Sequence, residues 1–144
     1  MAIEVSLRPA TEDDVAALIE VERAAFTTPN WPADTFRRYD CTVAEVAGQV
    51  VGFLVSREVY SGTSTALPER EILNLAVVPE QRHLGIATQL VQLEFRRKAI
   101  FLLEVRESNL AARALYERLG FVEISRRKDY YDNPPETAIV MQVK

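Results

Sequence analysis

Cysteine is nearly absent from this chain: with Cys41 alone among 144 residues no internal disulfide can form. A single histidine, His83, leaves no Cys/His set of metal-ligand spacing, so no metal is expected. Long apolar runs are missing too, since no segment reaches the roughly 18 residues of a membrane span. The opening Met-Ala-Ile-Glu-Val-Ser carries no basic flank, and the expected location is cytoplasmic, with no membrane partner. Positive charge is not in excess. Net charge is −4 and the sequence pI about 5.1, which argues against nucleic acid or an anionic membrane surface as the main partner and mildly suits cationic substrates. Repeats, linkers and low-complexity segments are also missing. What is present is a 48% hydrophobic chain of a length that predicts one domain, 1–144, with a real core.

Periodicity predicts a mixed α/β order. Residues 3–8 alternate apolar and polar like a half-buried strand, and Thr11 followed by Glu12, Asp13 and Asp14 gives a capping-box start for a helix. Val15, Leu18, Ile19, Glu22 and Phe26 fall at its helical spacing. Residues 27–32 end that helix, and Pro32 suits the first turn of a second, over 33–39. A hairpin is expected from 42–46, the turn 47–49 and 50–60, then a loop over 61–68. Strands at 71–78 and 100–105 flank a helix at 85–97; Ser108 is the expected cap of a helix at 110–119, with Gly120 at its C′ stop. Strands at 121–127 and 137–143 close the chain around a Tyr-Asp-Asn-Pro-Pro loop. The order is β-α-α-β-β-β-α-β-α-β-β, with parallel neighbours in the second half and antiparallel ones at the hairpin and the end.

The stretch from Ile72 to Leu90 carries the first chemical signal. An apolar run of strand length breaks at Pro79 and restarts as a helix near Gly85, with Arg82-x-x-Gly85-x-Ala87 across the break. A helix N-terminus presents unpaired N–H groups and a positive dipole end, and small residues there let the backbone approach an anion closely. A pyrophosphate cradle is one reading; a solvated loop cation at Arg82 and a simple turn at Gly85 are the plainer ones.

Together with Leu103-Glu-Val-Arg-Glu-Ser-Asn-Leu-Ala-Ala-Arg-Ala-Leu-Tyr-Glu-Arg-Leu-Gly-Phe121, this motif resembles the GNAT superfamily of acyl-CoA-dependent N-acetyltransferases. That block, with Arg126-Arg-Lys-Asp-Tyr-Tyr131 and Ala138-Ile-Val-Met141, is similar more narrowly to the ribosomal-protein-alanine N-acetyltransferase branch, the RimI type. The resemblance covers most of the chain and is densest from Ile72 onward. It implies the GNAT fold and acetyl-CoA as co-substrate. It also implies transfer to the N-terminal α-amino group of a protein, a ribosomal protein beginning with Ala being the first candidate. The pyrophosphate would lie on Arg82, His83, Leu84, Gly85, Ile86, Ala87 and Thr88, and Leu75, Ala76 and Val77 would offer main-chain groups to the pantetheine and thioester. His83 is as readily an incidental loop residue.

Glu104 follows the apolar residues 100–103 and precedes Val105, a placement where an unpaired carboxylate is costly. By the resemblance it is the general base, taking a proton through water from the acceptor's ammonium; a strand-end carboxylate or a partner of Arg106 is the alternative. Tyr116 shares one helix side with Ala112, Leu115 and Leu119, and its implied role is general acid toward the departing CoA thiolate, against a plain core tyrosine. Asn109 would bond the CoA arm, or cap its helix. Tyr130 and Tyr131 match aromatic positions that enclose the acceptor peptide in relatives, with Trp31 and Phe36 as an opposite wall; core or rim packing explains them equally. Residues 126–128 read as a solvated strand face, and nothing singles out Glu22 or Glu45.

Cys41 has no basic neighbour in sequence, which weighs against a covalent acyl-enzyme. Two other functions share the fold: acetylation of a small amine or a lysine side chain, and an acyl-CoA-binding sensor without turnover. Glu104 and Tyr116 together disfavour the sensor. The segment Leu93-Glu-Phe-Arg-Arg-Lys-Ala-Ile100 is several residues shorter than the family pattern and lacks its Gly-containing turn. Either the helix stops near Phe95 or the turn is unusually tight, and lower local stability is expected there.

Overall fold

The computed structural model describes residues 4–26, 31–59, 67–132 and 135–144. Expectations for residue 3, for 27–30 and 60–66, and for the step at 133–134 lie outside the described residues.

Two compact units divide the chain, the first comprising Met1–Arg57 and Leu73–Arg97. It opens with strand β1 (Ser6–Pro9), shorter than the alternation predicts, and a 3-10 turn at Glu12–Asp14 that runs into helix α1 (Val15–Ala25). The expected capping chemistry is present: the Thr11 N–H and hydroxyl both donate to the Asp14 carboxylate, at 2.7 and 3.2 Å. Arg8 clamps the same carboxylate through both terminal nitrogens, at 2.7 and 2.9 Å, and also pairs with Glu45. Val15, Leu18, Val21 and Glu22 form the buried face of α1. Phe26 does not extend that face. It takes an extended conformation just past the helix and is exposed.

Helix α2 (Ala33–Arg38) starts behind Pro32 as expected, and a hairpin follows, β2 (Asp40–Val46) and β3 (Gln49–Val59), turning through Ala47 and Gly48, both at positive φ. Strand β4 (Glu69–Val77) gives this unit its second half, Leu73–Val77, and helix α3 (Ile86–Glu94) completes it. Leu18, Val21, Phe36, Val43, Phe53, Val55 and Ala76 make the core, with Phe36 edge-on to Phe53 at 5.3 Å. Gly52 sits where β3 meets β4: a Cβ there would lie 2.9 Å from the Ala76 carbonyl oxygen. No other residue fits without backbone movement.

The shortened segment resolves as an early stop. α3 ends at Glu94, one 3-10 turn spans Phe95–Arg97, and Lys98 at φ 50 turns the chain into the next strand. Glu94 is buried there, accepting from the Ser56 hydroxyl at 2.6 Å and from Arg97 Nε at 3.2 Å.

The second unit, Glu58–Ile72 and Lys98–Lys144, contains the first half of β4, strand β5 (Ile100–Arg106), helix α4 (Leu110–Arg118), and strands β6 (Val122–Asp132) and β7 (Pro135–Val143). β4 and β5 pair in parallel from Glu69↔Ile100 to Ile72↔Leu103, and that ladder ends there. β5 pairs antiparallel with β7, and β7 with β6, so the strand order is β1-β2-β3-β4-β5-β7-β6. The mixed α/β order is therefore the predicted one. β6 runs five residues further than predicted because register shifts at Glu123/Ser125 and Arg127/Tyr131, with Asp129 at φ 53, absorb its irregularity while pairing with β7 continues. Tyr130 and Tyr131 thus stand in a strand, not in the expected loop.

Candidate active site

The break after β4 folds as the motif predicts. Pro79–Gln81 makes a 3-10 turn, His83 takes φ 64 and Gly85 φ 81, and α3 starts at Ile86. A left-handed N-cap suits glycine, and no side chain caps the helix, so the N–H groups of Ile86, Ala87 and Thr88 lack the intrahelical partners that later residues have. Arg82, His83, Leu84 and Gly85 are exposed, Ala87 and Thr88 half-buried, and Ile86 anchors the turn in the core.

Arg82 does more than carry charge. Its Nε donates to the Val77 carbonyl at 3.2 Å and one terminal nitrogen to the Ala25 carbonyl at 3.0 Å, tying the cradle to the ends of β4 and α1. Ala76 and Val77 are buried and Leu75 is half-buried.

Glu22 emerges from the same unit without a strong sequence signal. It is 3% exposed, accepts from the Trp31 N–H and from Asn74 Nδ2, both at 2.9 Å, and burial pushes its carboxyl up against those two bonds. Its partners lie 9 and 52 residues away, so only the fold brings them to it. Trp31 packs on Phe36 at 5.3 Å, and Phe36 is core. Glu45 is taken by Arg8. Cys41 is half-buried, and its thiol is pushed up to about 12 by burial and then by Asp14, which leaves it a poor nucleophile.

In the second unit Phe101, Leu103 and Val105 point one way along β5 and are buried; Glu104 alternates to the other face. Its side chain is 18% exposed and lies 3.4 Å from Arg127. The anticipated partner, Arg106, instead bonds Glu136 at 3.3 Å and covers the Tyr131 ring at 4.2 Å. Tyr130 donates its hydroxyl to Glu104, the leading reason its own acidity is suppressed, and Arg127 lies over the Tyr130 ring at 5.3 Å. Tyr131 stands edge-on to Tyr130 at 5.1 Å, and burial, followed by Glu104, pushes its hydroxyl up to about 12.

Tyr116 is 8% exposed and edge-on to Phe121 at 5.6 Å; burial, then Tyr131, pushes its hydroxyl well above the usual phenol range. Its proton therefore stays on at any ordinary pH. Asn109 is the N-cap of α4, its side-chain oxygen accepting from the Ala112 N–H at 3.1 Å. Ser108, the expected cap, instead donates its N–H to Glu136. Residues 126–128 are exposed as expected; Arg126 is neutralised by Glu123 and Glu107, and from the same exposed stretch Arg127 reaches the Glu104 carboxylate.

The site therefore offers a strand ending in a turn with free helix-start N–H groups, then a half-buried carboxylate and a buried tyrosine on the next strand and helix. The sequence profile of the Acetyltransferase (GNAT) family matches residues 11–121. The chain belongs to the GNAT acetyltransferases. Its relatives include the [ribosomal protein bS18]-alanine N-acetyltransferase of Haemophilus influenzae, 33% identical over 89% of this chain and 90% of that protein. An N-alpha-acetyltransferase of Sulfurisphaera tokodaii is 32% identical over 89% of this chain and 86% of its own length. The crystal structure of the ribosomal-protein-S18-alanine N-acetyltransferase from Escherichia coli superposes with a TM-score of 0.81 at 31% identity, covering 97% of this chain and 93% of that one. Among the described residues of this acetyltransferase, no helix is long and apolar enough to cross a membrane.

Proposed function

We propose that the chain works as one domain that transfers the acetyl group of acetyl-CoA to the N-terminal α-amino group of a protein, with an Ala-starting ribosomal protein as the first acceptor to test. The observation that supports this reading is the presence, within one unit, of a partly exposed carboxylate at Glu104 and a buried Tyr116 that holds its proton. A protein that merely binds acyl-CoA needs neither.

The donor's pyrophosphate is assigned to the uncapped N–H groups of Ile86–Thr88 and the turn held by Arg82, and its pantetheine arm to the main chain of Leu75, Ala76 and Val77. The acceptor's ammonium gives a proton through water to the Glu104 carboxylate, and the freed amine attacks the thioester carbonyl. The tetrahedral adduct collapses as the C–S bond breaks, its electron pair goes to sulfur, and Tyr116 supplies the thiolate's proton. The nitrogen's extra proton is shed and replaces the one Tyr116 gave, and the proton on Glu104 passes to solvent, so one proton is released per acetyl transferred. Cys41, with its raised thiol, has no place in the sequence, and transfer is direct.

A thiol-release assay on peptides starting with Ala or Ser, lysine-bearing peptides and small amines tests the acceptor class. Preference for the α-amine of the Ala peptide is expected; turnover on lysine or small amines alone would replace the acceptor, and acetyl-CoA binding without thiol release on any acceptor would leave a sensor. Glu104→Gln and Tyr116→Phe are each expected to lower kcat by about 10²-fold, with acetyl-CoA affinity nearly unchanged. Full activity in both variants would remove these two residues from the mechanism.

A further inference from the structure

The base proposed at Glu104 does not stand alone, and its companions form a closed set. Arg127 approaches its carboxylate at 3.4 Å, Tyr130 donates a hydroxyl to it, and Arg127 lies over the Tyr130 ring at 5.3 Å. Each group touches the other two. Both companions come from β6, which is separated from β5 by β7, and Arg127 lies just before the register shift that bends β6 at Asp129. That bend is what lets Arg127 and Tyr130 lie together instead of following plain strand alternation. A bulge that re-aims two side chains onto one carboxylate is a feature with local cost, and surface packing alone would not require it.

We propose that Arg127 is a positioning residue for Glu104, acting together with Tyr130; the proposal rests on the reading of Glu104 as base. A carboxylate that must collect a proton through water has to be held in one orientation. The guanidinium and the Tyr130 hydroxyl do this, because a cation and an O–H donor on the same carboxylate together fix its plane. Among the described residues, other charged or titratable groups near this set include Glu71 from β4, which acts on Tyr130, and Tyr131 from β6. On Glu104's own strand, Arg106 is engaged by Glu136 and Tyr131. Arg127 is a cation 3.4 Å from the Glu104 carboxylate.

Arg127 is 58% exposed, so its removal leaves no buried hole and folding is expected to survive. Arg127→Gln is expected to lower kcat about tenfold with the KM for acetyl-CoA unchanged, and Arg127→Lys to recover most of that loss by restoring the cation. In a Glu104→Gln background, Arg127→Gln is expected to add less than about twofold, since the residue it serves is already gone. A kcat equal to the parent's in Arg127→Gln, a lysine variant no better than the glutamine one, or a full tenfold loss persisting in the Glu104→Gln background would each overturn the proposal while leaving the base reading standing. A fully active Glu104→Gln would overturn the base reading itself, and the proposal with it.

Discussion

Glu22 and Asp14 lie in the same unit, both nearly sealed from water, and their chemistry runs in opposite directions. Asp14 faces the Arg8 guanidinium, which holds its carboxyl well below the usual range, so its contribution to stability is in place above that range and is lost as pH falls through it. Glu22 has only neutral donors in the Trp31 N–H and Asn74, and burial raises its carboxyl. The folded chain then binds a proton more readily than the unfolded one, so stability falls as pH rises above the ordinary glutamate value of about 4.3. Glu22→Gln keeps both hydrogen-bond sites, given an amide flip at Asn74, and removes the charge. It is expected to melt higher than the parent at pH 7, with the gap closing by pH 4; thermal unfolding at the two values checks this, and an equal gap at both would mean that ionisation is not what Glu22 contributes. None of this was legible at the residue itself. A glutamate on the apolar side of a helix can signify a buried acid or a helix edge, and the decision rests with Asn74, which reaches it through the fold.

At the scale of elements, legibility followed the range of the interactions that set each one. Helices and the hairpin were readable because their signals are local: Thr11 with Asp14, Pro32 before α2, and the Ala47-Gly48 turn. The end of β6 was not, because its length comes from pairing with β7 across two register shifts rather than from its own alternation. The same distance hid Arg127, which reads as one of three successive exposed cations until β5, β7 and β6 are set side by side. Gly52 was silent for a similar reason. Inside an apolar strand it looks like a weak point, yet its missing Cβ is what lets β3 approach the Ala76 carbonyl at the end of β4. Gly52→Ala must move backbone rather than a flexible side chain, and is expected to cost about 1–3 kcal/mol in denaturant unfolding. Because the displaced group is the main chain of Ala76, acetyl-CoA binding is expected to weaken in the same variant. Parent-like stability and binding would show that the contact relaxes without consequence.

For the molecule as a whole, net charge works against the donor: acetyl-CoA is a polyanion and the chain carries −4. On the proposed reading, donor affinity comes from short-range groups, the N–H cluster at the start of α3 and the turn braced by Arg82, rather than from the overall field. Those groups exist as a site only when the chain is folded. Ligand binding to the native state alone adds RT ln(1 + [L]/Kd) to stability, about 2.7 kcal/mol at 100 times Kd. For a chain of this size each kcal/mol moves Tm by roughly 3–5 °C, so saturating acetyl-CoA is expected to raise Tm by about 8–13 °C, with the rise continuing logarithmically as concentration increases. Glu104→Gln should keep the full rise, since its assigned work begins after the donor is bound. Gly85→Ala should lose much of it, because an alanine resists the left-handed turn at φ 81 that opens the helix start. A parent Tm indifferent to acetyl-CoA would remove the donor from the cradle, and a rise lost equally in both variants would mean that binding and chemistry are not divided between these residues.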